Sequence, residues 1–312
     1  PIHYLGYVAT EAMMAVPIEF DSFEYVMLPQ NGFYEFLPLD ADENTKPLTF
    51  KDVEVGKEYE NLIVLDADLA AATKTGTFMK VFPERHVNCG IAENNMTGIA
   101  AGLATCGKIP FISSFSMFLS GRCYEQIRNS IGYPSLNVKM GATHVGISVG
   151  EDGATHQCLE DISLMREIPG MVVINPSDDI ETKAAVKAAV EHVGPVYLRF
   201  GRFPVPVFNI NEDYKFELGK GIVLKEGADI SIFATGLEVY EALQAAKMLE
   251  TEGINAEVIN IHTIKPLDEE LVLASAEKTG RTGYSLYLFS VWSSVKRKCR
   301  CIYSIVSKMG IL

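Results

Sequence analysis

Residues Val87–Met117, VNCGIAENNMTGIAAGLATCGKIPFISSFSM, decide how this chain is read. An asparagine and a glycine precede a helix whose first turn carries a carboxylate, Glu93. Small residues follow along it (Gly98, Ala100, Ala101, Gly102, Ala104), and Gly107 stops it. The apolar run Ile109–Ser113 then predicts a buried strand, and an aromatic pair, Phe115 and Phe118, comes after. A helix of small residues lets other backbone approach closely and sets Glu93 at the end that faces a cleft. Two readings of Glu93 are open on spacing alone. It is either a complement to the positive end of the helix dipole, worth about 0.3–1 kcal/mol, or a carboxylate with chemistry to do.

The same alternation extends in both directions. Leu62–Asp66 (LIVLD) predicts a buried strand ending at two carboxylates, Asp66 and Asp68. Downstream, helices are expected over Phe118–Ile131, Cys158–Glu167 and Asp178–His192. Strands are expected over Leu136–Met140, Val145–Ser148, Met171–Asn175 and Pro195–Phe200, with a loop at Gly150–Gly153. Strands and helices in this rhythm make an α/β fold with a mostly parallel sheet covered on both faces. Ligands collect at the carboxyl ends of such strands. Pro204–Lys215, with two prolines and then polar turn residues, reads as a linker. A smaller α/β unit follows it. Strands are predicted at Asp229–Ala234 and Asn255–Ile261, helices at Leu237–Leu249 and Asp268–Glu277, and a turn at His262–Pro266.

Bulk properties remove several function classes. A net charge of −13 over 312 residues opposes phosphate binding across most of the surface, so no nucleic-acid partner is expected. No apolar run reaches membrane-spanning length and no signal peptide is recognisable, so no membrane partner is expected either. Six cysteines lack CxxC or metal-type spacing, which suits reduced thiols in a cytoplasm and no protein metal site. The two ends differ in texture. Residues 1–45 hold eight acids and no Lys or Arg; no acid follows Glu277, while Lys296, Arg297, Lys298, Arg300 and Lys308 gather there. These ends read as an irregular acidic extension and as an atypical basic, apolar tail produced by a frame change or aberrant end.

Three groups hold the candidate chemistry: Glu93 with Phe115 and Phe118; THVGISVGEDGATHQ, residues 143–157, with His144, Asp152 and His156; and LRFGRFPVP, residues 198–206, with Arg199 and Arg202 past a strand end. Two histidines, an aspartate and an arginine at strand ends suit an oxygen-rich anion such as a sugar phosphate. GxGxxG, GxxxxGK[ST] and GxSxG motifs are absent, which leaves dinucleotide, P-loop and α/β-hydrolase chemistry without support.

GIAENNMTGIAAGLA, SSFSMFLSGR, EQIRNSIGYPSLNVK, GEDGATHQ and the run to RFGRFPVPV resemble the C-terminal half of transketolase, over about residues 55–281. That half comprises a pyrimidine-binding domain and a C-terminal domain, and some bacteria encode it as a separate subunit. The resemblance implies thiamine diphosphate as cofactor, with Glu93 against its aminopyrimidine ring and protonated there through burial. Phe115 and Phe118 match the residues that stack on that ring, and Asp68 and Leu69 match strand-end residues near the cofactor. His144, Asp152 and His156 match substrate-binding positions, the histidines also catalytic, and Arg202 matches the substrate-phosphate arginine.

The resemblance further implies transfer of a two-carbon ketol unit between sugar phosphates, in the pentose phosphate pathway, by a cytoplasmic transferase. Its partner is an N-terminal transketolase subunit in a heterotetramer-like assembly, with self-association or dimers of this chain. That partner would hold Mg2+ or Ca2+, because the metal-binding GDG…N motif is absent here. Two departures are visible. Ala72 stands where the family has a phosphate-contacting serine, and nothing matches the family beyond about Arg281, which leaves the second sheet an unfilled edge. The expected division is 1–50 extension, 51–203 pyrimidine-binding domain, 204–218 linker, 219–281 partial C-terminal domain and 282–312 tail. The competing readings are a deoxyxylulose-phosphate synthase-like enzyme and a non-catalytic interaction or regulatory remnant.

Overall fold

The computed structural model describes residues 45–47, 53–210 and 214–285. The remainder of the acidic extension and of the basic tail lies outside the described residues. In chain order the first unit contains β1 (Thr45–Pro47), α1 (Val53–Glu58), β2 (Leu62–Asp66), α2 (Ala70–Thr73), α3 (Thr75–Val81), β3 (His86–Asn88), α4 (Glu93–Thr105) and β4 (Ile109–Phe115). It continues through α5 (Tyr124–Gln126), β5 (Lys139–Thr143), α6 (Asp161–Glu167), β6 (Val172–Ile174), α7 (Asp179–Glu191), β7 (Val196–Arg199) and β8 (Pro204–Pro206). The second holds β9 (Ile222–Lys225), β10 (Ile230–Ala234), α8 (Glu238–Thr251), β11 (Ala256–Asn260), β12 (Thr263–Lys265), α9 (Glu269–Thr279) and β13 (Thr282–Ser285).

The larger sheet runs β12-β6-β7-β5-β4-β2-β3 and is parallel except for β12. Every residue of β4 is buried, as a central parallel strand requires. Alternate residues divide between two layers. Leu65, Ile112, Met140 and Tyr197 pack with α4 and α6 through Met96, Ala100, Ile162 and Met165. Val64, Phe111, Ile174 and Leu198 pack on the opposite face with α7 through Ala185, Val186 and Ala189. Asp178 caps α7 by accepting the Glu181 N–H at 2.9 Å.

Four expectations are corrected. Val145–Ser148 is loop, with an isolated Gly146–Cys158 bridge in place of a strand, because the chain turns sharply at His144 with φ +57°. The helix expected over Phe118–Ile131 is interrupted: π-helical turns at Met117–Arg122 and Ile127–Gly132 flank the short α5. His262–Pro266, expected as a turn, contains β12, which crosses from the second unit to pair antiparallel with β6 of the first. Ile264 on this strand belongs to the first unit's core, and burial there outweighs the local turn chemistry. Finally, the chain after Arg281 contributes β13, in parallel register with β10, so the edge expected to be unfilled carries a strand.

The second sheet runs β13-β10-β11-β9, with β9 alone antiparallel. Within the stretch expected as a linker, β8 pairs antiparallel with β1. A buried polar network joins the units: Glu181 accepts from the Ser177 N–H and hydroxyl, both at 2.6 Å, from Asn260 Nδ2 at 2.8 Å and from the Tyr214 hydroxyl.

Candidate active site

β5, β4, β2 and β3 are adjacent and parallel, so their carboxyl ends lie along one edge of the sheet, and several of the sequence candidates meet there. In register, Phe115 closes β4 opposite Thr143, the last residue of β5. His144 follows immediately and lays its ring on Phe115, centroids 3.8 Å apart. Phe118 stacks on Phe115 at 5.7 Å, and His156 turns its ring edge to both phenylalanines, at 6.1 and 5.2 Å. The two motifs are thus one aromatic and imidazole cluster, although Phe118 and His144 are 26 positions apart along the chain.

His144 is buried, and its Nδ1 lies 3.1 Å from the Thr143 hydroxyl. Burial, followed by the charges of Arg202, His156 and Lys74, lowers its pKa to about 3. It is therefore neutral at physiological pH. Nε2 is the ring nitrogen left to meet a ligand. His156 Nδ1 is 2.9 Å from the Thr155 hydroxyl. Asp152 lies on the single 3₁₀ turn Gly150–Asp152, in the loop that leads to His156.

Glu93 is the first residue of α4, and only 3% of it is exposed. Burial does not leave its carboxylate unpaired. Arg122, at the end of the first π-helical turn, donates from Nη1 to Glu93 Oε1 at 2.7 Å. The same guanidinium sits over the Phe118 ring, 4.3 Å from its centroid. Asp68 has a left-handed backbone, φ +63°, and exchanges two hydrogen bonds with Asn88 across the ends of β2 and β3. Next to it, the Leu69 N–H donates to Asp66 Oδ1 at 3.3 Å. Asp66 Oδ2 is 2.8 Å from His86 Nε2 but outside hydrogen-bond angles, so that contact is electrostatic.

Arg202 lies near enough to His144 to influence its charge, and its side chain is 14% exposed. Glu151 holds it with two hydrogen bonds of 2.8 Å from Nη2. Arg199 is set apart: fully buried, it pairs with Asp161 at 2.7 Å beside the Tyr197 hydroxyl and serves the core. Sequence reasoning missed Arg122, Glu151 and Lys74. Lys74 holds φ +65° between α2 and α3. Among the described residues four non-glycines have positive φ, and Asp68, Lys74 and His144 are three of them. Strained backbone of this kind gathers at functional sites.

The family model of the transketolase pyrimidine-binding domain matches residues 53–206, and that of the transketolase C-terminal domain matches residues 219–283. A protein of Methanocaldococcus jannaschii, named as a transketolase C-terminal section, is 55% identical over 226 residues, 72% of each chain. The chain belongs to the transketolase family. A 6-deoxy-6-sulfo-D-fructose transketolase subunit of a Clostridium species is 47% identical over 228 residues, 73% of this chain and 70% of that one. A solved split-gene transketolase, described as an inactive β4 tetramer, superposes with a TM-score of 0.69 at 52% identity, covering 75% of this chain and 76% of its own. A short match of residues 25–67 to the GH3 family central domain overlaps the first transketolase match and supports no separate reading.

Membership in the transketolase family implies dependence on thiamine diphosphate, and the side chains around Glu93 and Phe118 are of a kind that suits the aminopyrimidine half of that cofactor. The position bounded by Glu93 and Phe118 already accepts a planar N–H donor, the Arg122 guanidinium, stacked on the ring and bonded to the carboxylate. Among the described residues no group of three His, Cys, Asp or Glu side chains is placed to hold a metal ion. Nor is any described helix long and apolar enough to cross a membrane.

Proposed function

We propose that this chain is the C-terminal subunit of a split transketolase that moves a two-carbon ketol unit from a ketose phosphate to an aldose phosphate. The observation that carries this reading is the cluster of Phe115, Phe118, His144 and His156, which Arg122 links to the buried Glu93. Thiamine diphosphate supplies the carbon nucleophile when bound; the residues here orient and protect it. Glu93 shares a proton with the pyrimidine ring nitrogen, and Phe115 and Phe118 fix the plane of the ring. His144 and His156 hydrogen-bond the hydroxyl and carbonyl oxygens of the donor. The neutrality of His144 makes it a hydrogen-bonding group rather than a permanent cation. Asp152 binds an acceptor hydroxyl and Arg202 the substrate phosphate, while Asp68 and Leu69 line the cofactor near the ends of β2 and β3.

The diphosphate and its Mg2+ or Ca2+ belong to an N-terminal subunit in this reading. Activity therefore requires both chains, and this chain alone self-associates without turnover. The test is reconstitution with a matching N-terminal subunit, cofactor and Mg2+, assayed with xylulose 5-phosphate and ribose 5-phosphate. Turnover is expected from the pair and not from either chain. Glu93→Gln should reduce it by about 10²–10⁴-fold, the range for removing a positioned acid–base group. An unchanged rate refutes the role of Glu93. Consumption of pyruvate in place of the ketose favours a synthase of the same fold.

A further inference from the structure

Arg122 lies outside the roles assigned above, yet it makes the two contacts that the aminopyrimidine would make. Its planar guanidinium covers Phe118 at 4.3 Å and donates an N–H to Glu93 Oε1 at 2.7 Å. A pyrimidine protonated on its ring nitrogen offers the same outline: a flat, cationic surface with an N–H aimed at a carboxylate. Burying the Glu93 carboxylate without a partner would be costly. Arg122 removes that cost while 48% of its own side chain stays exposed, so it can leave into water without opening the core. The π-helical turn is what brings it there, because an i→i+5 turn carries one residue more than an α-turn and rotates Arg122 toward α4.

We infer that Arg122 is a placeholder. It occupies the pyrimidine position, keeps Glu93 paired while the cofactor is away, and swings out when the ring enters. This inference rests on the proposed contact between Glu93 and the pyrimidine and adds a competitor for it. Ligand binding must break an ion pair and a cation–π contact, so removing Arg122 strengthens pyrimidine binding rather than weakening it.

The probe is the cofactor's pyrimidine half, 4-amino-5-hydroxymethyl-2-methylpyrimidine, titrated into the full chain by calorimetry. Arg122→Gln is expected to bind it roughly tenfold more tightly than the native chain, with Arg122→Lys in between. Thermal melts establish that each variant is folded. A second readout is the modification of Arg122 by phenylglyoxal, followed by mass spectrometry. Saturating pyrimidine should accelerate it, because the displaced guanidinium enters solvent; an arginine that closes over the ligand would be protected instead. Equal, weaker or undetectable binding by folded Arg122→Gln overturns the placeholder, as does protection of Arg122. The separate loss of turnover in Glu93→Gln then shows whether the reading of the site still stands. If Glu93→Gln keeps full turnover, that reading fails and the placeholder falls with it.

Discussion

Glu93, His144 and Arg202 illustrate how much a residue's role depends on what lies beside it. Each was visible in the sequence; which side chains would lie against it was not. Arg202 is gripped by Glu151, a half-exposed acid that competes with any substrate phosphate for the same guanidinium. In the reconstituted enzyme, Glu151→Gln should therefore lower the KM for the phosphorylated donor severalfold. The basis is that an exposed charge pair is worth about 0.2–1 kcal/mol. Steady-state kinetics check this, and a raised KM would show that Glu151 positions Arg202 rather than masking it. Arg202→Ala should raise the KM, because the phosphate loses its charge partner and cannot recover it from Ala72. The family signatures around these residues were legible because catalytic side chains cluster in short motifs. Arg122 sat in a quoted motif unnoticed, since its approach to Glu93 depends on a π-turn that no apolar period announces.

Among the elements, β12 is the one whose identity the tertiary structure alone could settle. Its three residues are too short to show alternation, and they precede a proline, so local chemistry says turn. The strand exists because β6 leaves an edge and because Ile264 fills a gap in the core of the other unit. Ile264→Ala should cost about 2–4 kcal/mol, the range for deleting a buried aliphatic side chain. The loss should appear in urea unfolding as destabilisation of the pyrimidine-binding unit, not of the unit that contributes the residue. If only the second unit melts earlier, the strand is not coupling them. The long elements, by contrast, were read to within a few residues. For α7 the acid cluster announced the start, and Asp178 does cap it. In β2 and β4 the continuous apolar runs required burial on both faces, and the structure provides it.

At the scale of the molecule, buried histidines make stability depend on pH. Burial lowers His262 to about 4, as it does His144 to about 3. Both lie below the ordinary value near 6.5, so below that pH the unfolded chain takes up protons that the folded chain refuses. The stability they contribute is present above pH 6.5 and is lost as pH falls through about 4. For His262 alone the loss amounts to roughly 3 kcal/mol at most. Urea midpoints measured from pH 7 to pH 4 should fall, and His262→Gln should flatten the dependence. An unchanged slope would show that another group dominates. Cofactor and partner belong to this scale too. In the proposed reading Glu93 and Phe118 face the pyrimidine, and the diphosphate is left to a second chain.

The sequence by itself determined the α/β class, the order of the main strands and helices, the family, and the candidates at strand ends. Those follow from local periodicity and from short motifs, in which the information lies within a few residues. The tertiary structure decided which of the candidates meet. It placed His144 and His156 against Phe115 and Phe118, withdrew Arg199 into the core with Asp161, and set Arg122 on Glu93 and Glu151 on Arg202. It also carried one strand of the second unit into the sheet of the first. These contacts join residues 29 to 92 positions apart. Packing and charge pairing across such separations leave no periodic trace in the chain, and only the folded sheet brings the partners within a few ångströms.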